Sequence, residues 1–135
     1  MLIRVTCAII FHEQKILVTQ RGPFMKHPSK WEFPGGKIEA GENEEACIHR
    51  EIYEELNITI EIKHRMVSVL HEYDSVQIEL IPFIAEFKNG VITLREHMHY
   101  KWVPLEELNN LDWVAADVKV VGDLIAFMNS NYNTT

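Results

Sequence analysis

Cysteine is scarce in this chain of 135 residues, which holds only Cys7 and Cys47. They form no Cys-x-x-Cys pair and no histidine stands at zinc-finger spacing from them. Neither a structural zinc site nor a disulfide framework is expected, and a reduced thiol pair in the cytoplasm is. Long apolar runs are missing too, since no stretch approaches the ~20 residues of a membrane span. The opening segment Met1–Phe11 is short in its apolar part and has no small-residue cleavage site, so it reads as a first strand rather than a signal peptide, and no membrane association is expected. Positive charge is in deficit: 13 Lys+Arg face 20 Asp+Glu, a formal net charge of −7. The basic stripe of a nucleic-acid-binding protein is absent, and no nucleic-acid partner is expected. A small phosphorylated substrate remains open, because bound cations can reverse the local sign. Repeats, low-complexity blocks and linkers are absent as well. Only Asn129–Thr135, mostly Asn, Ser and Thr, reads as a frayed tail.

What is present suits one globular domain over residues 1–135: 47% hydrophobic and 24% charged residues, in a chain long enough to bury a core unaided. As an assembly, a monomer or a homodimer is expected. Val5–Phe11 and Lys15–Gln20 are β-rich, with a hairpin turn at His12-Glu13-Gln14. Arg21–Lys30 is a loop punctuated by Gly22-Pro23 and Pro28-Ser29. Trp31-Glu32-Phe33 is a short extended piece, and Pro34-Gly35-Gly36 is expected to end regular structure. A helix starts near Asn43, a good N-cap followed by Glu44 and Glu45, and it buries Ile48, Ile52 and Leu56 at i, i+4, i+8. Asn57 stops it, being tolerant of the left-handed conformation.

Two long β-like stretches follow, Ile58–His71 and Val76–Phe87. The reading then places a turn at Lys88-Asn89-Gly90, a short strand at Val91-Ile92-Thr93, a loop, a strand at Tyr100–Val103, and a helical turn or loop over Pro104–Asn110. A second helix, Ala115–Met128, has Val118, Val121, Ile125 and Met128 on one side. Mixed strands with helices on opposite faces give an α/β sandwich.

Chemistry concentrates in the first helix. Glu51, Glu54 and Glu55 lie at i, i+3, i+4 and project from one face, where like charges repel by a few tenths of a kcal/mol per pair. Arg50 can pair with Glu54, but one arginine cannot neutralise three carboxylates. A solvated acidic face is one reading. The other is a hard divalent cation: Mg²⁺ prefers an octahedral oxygen shell and keeps places for water and substrate phosphates.

Gly36, five residues, Glu42, seven residues, then Arg50-Glu51-Ile52-Tyr53-Glu54-Glu55-Leu56-Asn57-Ile58 resembles the Nudix box, Gly-x5-Glu-x7-Arg-Glu-U-x-Glu-Glu-x-Gly-U with U bulky and aliphatic. Asn57 stands where the pattern has its second Gly. Both residues allow a left-handed cap, so the loop-helix-loop is expected to survive. Trp31–Glu39 and Ala115-Ala116-Asp117 are similar to segments of MutT-like nucleoside triphosphate pyrophosphohydrolases, so the resemblance covers nearly the whole chain.

That resemblance implies a Nudix-type α/β/α sandwich with a mixed central sheet. It also implies metal-dependent hydrolysis of (deoxy)nucleoside triphosphates to the monophosphate and pyrophosphate, oxidised purine nucleotides such as 8-oxo-dGTP included. Metal, Mg²⁺ or else Mn²⁺, would sit on the Gly35 carbonyl, Glu51, Glu54, Glu55 and Glu96. Arg50 would orient the carboxylates through Glu42 or a helix glutamate. The base taking the water proton would be Glu51 or Glu96, and Glu96 reads equally as a surface loop acid.

Arg21 and Lys37 are phosphate-charge candidates or plain solvated charges. Lys26 and His27 lie in the loop expected over the site. His97 and His99 read as exposed loop histidines and receive no role. Phe33 is expected as an apolar wall and Asp117 as the base contact. As a carboxylate, Asp117 accepts from N1–H and N2–H of guanine-type bases, though similar segments occur in enzymes acting on CTP and modified cytosine nucleotides. Asp117 also reads simply as a first-turn acid favourable to the helix dipole. Alternative specificities are CTP or dinucleoside polyphosphates, for which Tyr73 is a near miss in position. An ADP-ribose reading lacks its proline. A non-catalytic binding module is the reading from another class, disfavoured because all box acids are kept.

Overall fold

The computed structural model describes residues 1–132, and the side chains of residues 1–130. Its elements are β1 (Leu2–His12), β2 (Lys15–Gln20), β3 (Trp31–Glu32), β4 (Gly35–Lys37), α1 (Glu44–Leu56), β5 (Ile58–Arg65), β6 (Val69–Tyr73), β7 (Val76–Gly90) and β8 (His99–Val103). A 3₁₀ turn at Leu105–Asn110 and α2 (Ala115–Tyr132) follow. The sheet runs β3-β2-β1-β7-β5, with β4 also on β1, β6 also on β7 and β8 on β2. β1 is parallel to β7 from Leu2↔Gln77 to Phe11↔Glu86, whereas its other pairings are antiparallel, so the sheet is mixed as expected.

Alternation along β1 makes the two faces. Cys7 and Ile9 join a cluster with Val120, Val121 and Leu124 of α2. Ala8 and Ile10 join a second cluster with Ile48, Ile52 and Leu56 of α1. All three of these α1 side chains are fully buried, each stabilising by about 1.5–3 kcal/mol. The helices therefore cover opposite faces, giving the expected sandwich. Both ends of α1 are built locally. Asn43 Oδ1 accepts the Ala46 N–H at 2.8 Å, and Asn57 sits in the left-handed region at φ 61° while its N–H reaches Tyr53 O at 2.9 Å. The β1–β2 turn holds Glu13 and Gln14 at φ 50° and 67°, the twist a two-residue hairpin favours.

Six readings need correction. Gly35–Lys37 is a strand, antiparallel to Val5–Cys7. It can lie there because Gly35 has no side chain: a Cβ would stand 2.0 Å from Thr6 O. The stretch from Ile58 to His71 is two strands, both lying along β7 and separated at residues 66–68. The break faces Pro82, which has no N–H to donate and whose carbonyl takes the Met66 N–H at 2.9 Å. No turn forms at Lys88-Asn89-Gly90, because β7 runs through it and pairs Gly90 with Ile58. Val91-Ile92-Thr93 is then no strand; Thr93 donates instead to Leu56 O. On α2, Val118 is 58% exposed and the buried stripe is Ala116, Val120, Val121 and Leu124. Finally, Asn129–Tyr132 belongs to that helix, Ser130 Oγ donating back to Ala126 O at 2.6 Å; the rest of the expected tail lies outside the described residues.

Candidate active site

Arg50 is the hub of the acidic face. Its Nε and Nη2 grip the two oxygens of Glu42 at 2.6 and 2.9 Å, a bidentate pair. Its Nη1 reaches Glu51 Oε1 at 2.9 Å and Glu54 Oε2 at 3.2 Å, and Nη2 also donates to Lys37 O at 3.2 Å. One guanidinium thus joins the loop before α1 to two of the helix carboxylates. The pairing holds Glu42 down to about 2, and Arg50 is raised in turn, chiefly by Glu42. Glu42 also accepts the Glu39 N–H at 3.0 Å, so the loop is closed around it.

The glycines bring the strand and the carboxylates together. A Cβ on Gly36 would lie 2.3 Å from the Glu51 carboxyl carbon, so that carboxylate rests directly on bare backbone. The Gly35 N–H donates to Glu55 Oε1 at 3.2 Å. Burial pushes Glu55 up to about 8, reinforced by Glu51, Glu32 and Glu96 and opposed by the Gly35 N–H. Burial also raises Glu51, with Arg50 pulling the other way.

These carboxylates are neighbours but do not converge. Glu51 and Glu54 turn toward Arg50, Glu55 turns back to β4, and Glu96 is exposed on the segment before β8. Among the described residues, no three His, Cys, Asp or Glu side chains form a ready-made cation cage. Glu51, Glu54 and Glu55 are each taken by a nearby donor, which spacing along a helix does not reveal. The charge balance nevertheless fits a divalent cation. Glu55 is raised by burial and by three other carboxylates, and all donors here are hard oxygens, the type Mg²⁺ takes.

The other side of the site is built by Phe33, Asp117 and Arg21. The Phe33 N–H donates to Asp117 Oδ2 at 2.8 Å, joining β3 to the start of α2. Both residues are buried, and the Phe33 ring lies 4.8 Å from that of Trp113. Asp117 is pushed up to about 8, by burial first and then by Glu32, against the Phe33 N–H and Arg21. Burial thus favours the neutral acid, which both donates and accepts, over the expected carboxylate. Its burial is a tertiary effect, α2 being laid over Phe33.

Arg21 is not a free charge. It pairs with Glu32 at 2.9 Å and its Nε donates to Lys26 O. Lys37 is exposed. In the loop between them, Phe24 is fully exposed, and the His27 ring lies 5.3 Å from Tyr73, whose hydroxyl accepts the Ala116 N–H at 3.1 Å. His97 departs from the reading as well: it is buried, with Nε2 2.7 Å from Glu32 Oε2. Glu32, partner of both Arg21 and His97, carried no assignment in the sequence. Its only local signal was a charge between the two apolar residues Trp31 and Phe33.

A profile of the Nudix domain family matches residues 1–124. The chain belongs to the Nudix family. It is similar to a CTP pyrophosphohydrolase of Escherichia coli, 32% identical over 127 residues, which are 94% of this chain and 92% of that protein. It is also similar to an 8-oxo-dGTP diphosphatase of Escherichia coli, 31% identical over 123 residues, covering 90% of this chain and 95% of the relative. Among solved structures, the MutT protein from Methanosarcina mazei Go1 superposes with a TM-score of 0.82 at 25% identity, over 90% of this chain and 91% of that one. The Nudix fold assignment agrees with the mixed sheet and the two flanking helices. The protein is a Nudix hydrolase of MutT-like type, and Nudix hydrolases need divalent metal ions and act on small nucleotide substrates. No helix among the described residues is long and apolar enough to cross a membrane.

Proposed function

We propose that this Nudix hydrolase converts (deoxy)nucleoside triphosphates to the monophosphate and pyrophosphate, with oxidised guanine nucleotides such as 8-oxo-dGTP as the leading class. One observation carries the reading. Along one extended stretch, the Phe33 N–H is bonded to Asp117 and the Gly35 N–H to Glu55. Two residues of chain, about 7 Å when extended, thus separate a buried polar contact from the acidic face, in keeping with a nucleoside bridging the two.

In this reading Mg²⁺, or Mn²⁺, is held by the Gly35 carbonyl and by Glu51, Glu54, Glu55 and Glu96. Bound there, it neutralises phosphate oxygens and makes water more acidic. The chain's own residues do the rest. Arg50 keeps Glu51 and Glu54 on the substrate side of α1. Glu51 or Glu96 takes the proton as the water oxygen bonds to phosphorus and the anhydride P–O bond breaks. Arg21 and Lys37 supply charge toward the phosphates, and Phe33 and Asp117 receive the base.

CTP is the second reading, which the protonation of Asp117 admits. A neutral acid donates to N3 of cytosine and accepts from N4–H as readily as it meets O6 and N1–H of guanine. The buried free thiols Cys7 and Cys47 are in keeping with a cytoplasmic protein. The test is hydrolysis of 8-oxo-dGTP, dGTP, CTP, dATP, a dinucleoside tetraphosphate and ADP-ribose with Mg²⁺, with the products resolved. Monophosphate and pyrophosphate from triphosphates are expected. Release of inorganic phosphate, or turnover confined to the dinucleotide or ADP-ribose, would overturn the reading.

A further inference from the structure

Glu32 stands between the two halves of the site with both carboxylate oxygens engaged. Oε1 accepts from Arg21 Nη1 at 2.9 Å, and Oε2 lies 2.7 Å from His97 Nε2. A carboxylate only accepts, so Nε2 is the donor and Nδ1 is left to find a partner elsewhere. The His97 side chain is 1% exposed, and Nδ1 finds no hydrogen-bond partner among the described residues. Burying an imidazole with one nitrogen unpaired is unfavourable in itself. The charge-assisted bond to Glu32 offsets that cost and holds the ring inside.

Each partner of Glu32 governs a loop. Arg21 closes the loop that follows it: its N–H donates to Lys30 O at 2.9 Å, its carbonyl accepts the Ser29 N–H at 3.0 Å, and its side chain takes Lys26 O. His97 belongs to residues 91–98, which form no helix or strand. That segment is tied at Thr93, whose N–H reaches Leu56 O, and at Met98, whose N–H reaches Gln20 O, both at 3.0 Å. Between those ties, His97 is the buried anchor and Glu96 is the exposed residue beside it. The Glu96 carbonyl faces Gly22, where a Cβ would come within 3.0 Å of it. Glu32 is itself fixed, pairing with Thr19 across β2–β3 and accepting Thr19 Oγ1 on its carbonyl at 2.9 Å.

We propose that Glu32 is a positioning residue for Glu96. Through His97 it fixes the segment that presents the Glu96 carboxylate to the carboxylates of α1, and through Arg21 it joins that segment to the loop on the base side. The inference rests on the reading of Glu96 as a residue of the reaction, and it predicts a division of effects. Losing the His97 arm lowers kcat with little change in KM. Losing the Arg21 arm acts on KM, because it frees the loop beside the substrate.

The first arm of the test uses metal-free protein. Amide hydrogen exchange over residues 94–98 should quicken by about tenfold or more in His97→Ala and Glu32→Ala, while exchange within α1 stays as in the wild type. The second arm measures turnover with Mg²⁺ on whichever nucleotide the wild type hydrolyses fastest. His97→Ala should lower kcat by about tenfold to a hundredfold, the scale of a misplaced reacting group. His97→Gln, which keeps a side-chain N–H for Glu32, should recover most of it. Glu96→Gln should cost much less in the His97→Ala background than in the wild type, because the two act as a unit. Unchanged exchange over residues 94–98 overturns the proposal, as does a Glu96→Gln variant of full activity. Strict multiplication of the two kcat effects does the same, since His97 would then support the fold alone. A wild type that hydrolyses no nucleotide would sink the proposed function instead, with the exchange arm still deciding whether Glu32 anchors the segment.

Discussion

Half-buried Glu55 and fully buried Asp117 are both pushed up to about 8, and they sit in different surroundings. Glu55 lies among other carboxylates and gains most from a cation. Glu54→Gln and Glu55→Gln should each lower kcat by about a hundredfold or more, the scale of losing one electrostatic contact in a transition state, ~3 kcal/mol. Near-normal turnover of both variants at saturating Mg²⁺ would remove them from the metal site. In the proposed function Asp117 receives the base, so its ionisation should show in specificity. In free enzyme its acid form prevails below about pH 8 and its carboxylate above. Guanine can meet either form, offering N1–H and N2–H together to the carboxylate, whereas cytosine needs the acid's O–H for N3. The ratio of kcat/KM for dGTP over CTP should therefore rise as pH passes through about 8, and Asp117→Asn should flatten it. The ratio cancels the titration of the acidic face, which both substrates share. A ratio independent of pH in the wild type would mean that Asp117 does not read the base.

At the scale of elements, β4 and α1 work as one device joined by adjacent glycines with different tolerances. A Cβ on Gly35 meets backbone, Thr6 O at 2.0 Å and Cys7 Cα at 2.7 Å, in a strand that cannot yield without leaving β1. The three atoms nearest a Cβ on Gly36 all belong to the far end of the Glu51 side chain. Gly35→Ala should consequently destabilise by roughly 2 kcal/mol or more, within the range of backbone and overpacking effects. Gly36→Ala should keep most of the stability but lose activity as Glu51 is displaced from Arg50. Thermal unfolding and kcat measured on both variants check this, and equal stability losses would show that the two glycines serve packing alike. The sequence pattern treats the pair as one turn. Only the pairing Cys7↔Gly35 and Thr6↔Gly36 separates their roles.

For the whole molecule, the acidic excess and the raised Glu55 link stability to pH and metal. An acid whose folded pKa lies above its unfolded value binds its proton more tightly in the folded state. The stability it contributes is full below about 4.5 and is lost as pH rises toward about 8. Mg²⁺ should reverse that loss, raising Tm by mass action, about 2.7 kcal/mol at a hundredfold excess over Kd. The gain should be larger at pH 8.5 than at pH 6, because Glu55 must be ionised to ligate, and smaller in Glu55→Gln. An equal Mg²⁺ shift at both pH values would separate the cation from Glu55. Much of this was legible in the sequence: the hairpin at Glu13-Gln14, the caps Asn43 and Asn57, the stripe Ile48, Ile52, Leu56 and the pairing of Arg50 with Glu54. These follow from periods, cap chemistry and charge over short stretches of chain, which the sequence determines by itself. Tertiary structure alone decided the rest. It split the stretch after Asn57 opposite Pro82, turned Gly35–Lys37 into a strand on β1, and buried Asp117 under Phe33. It also drew His97 onto Glu32, 65 residues away. Burial and partnership across the sheet depend on which segments meet, and the same side chain is a solvated charge or a buried acid according to what folds over it.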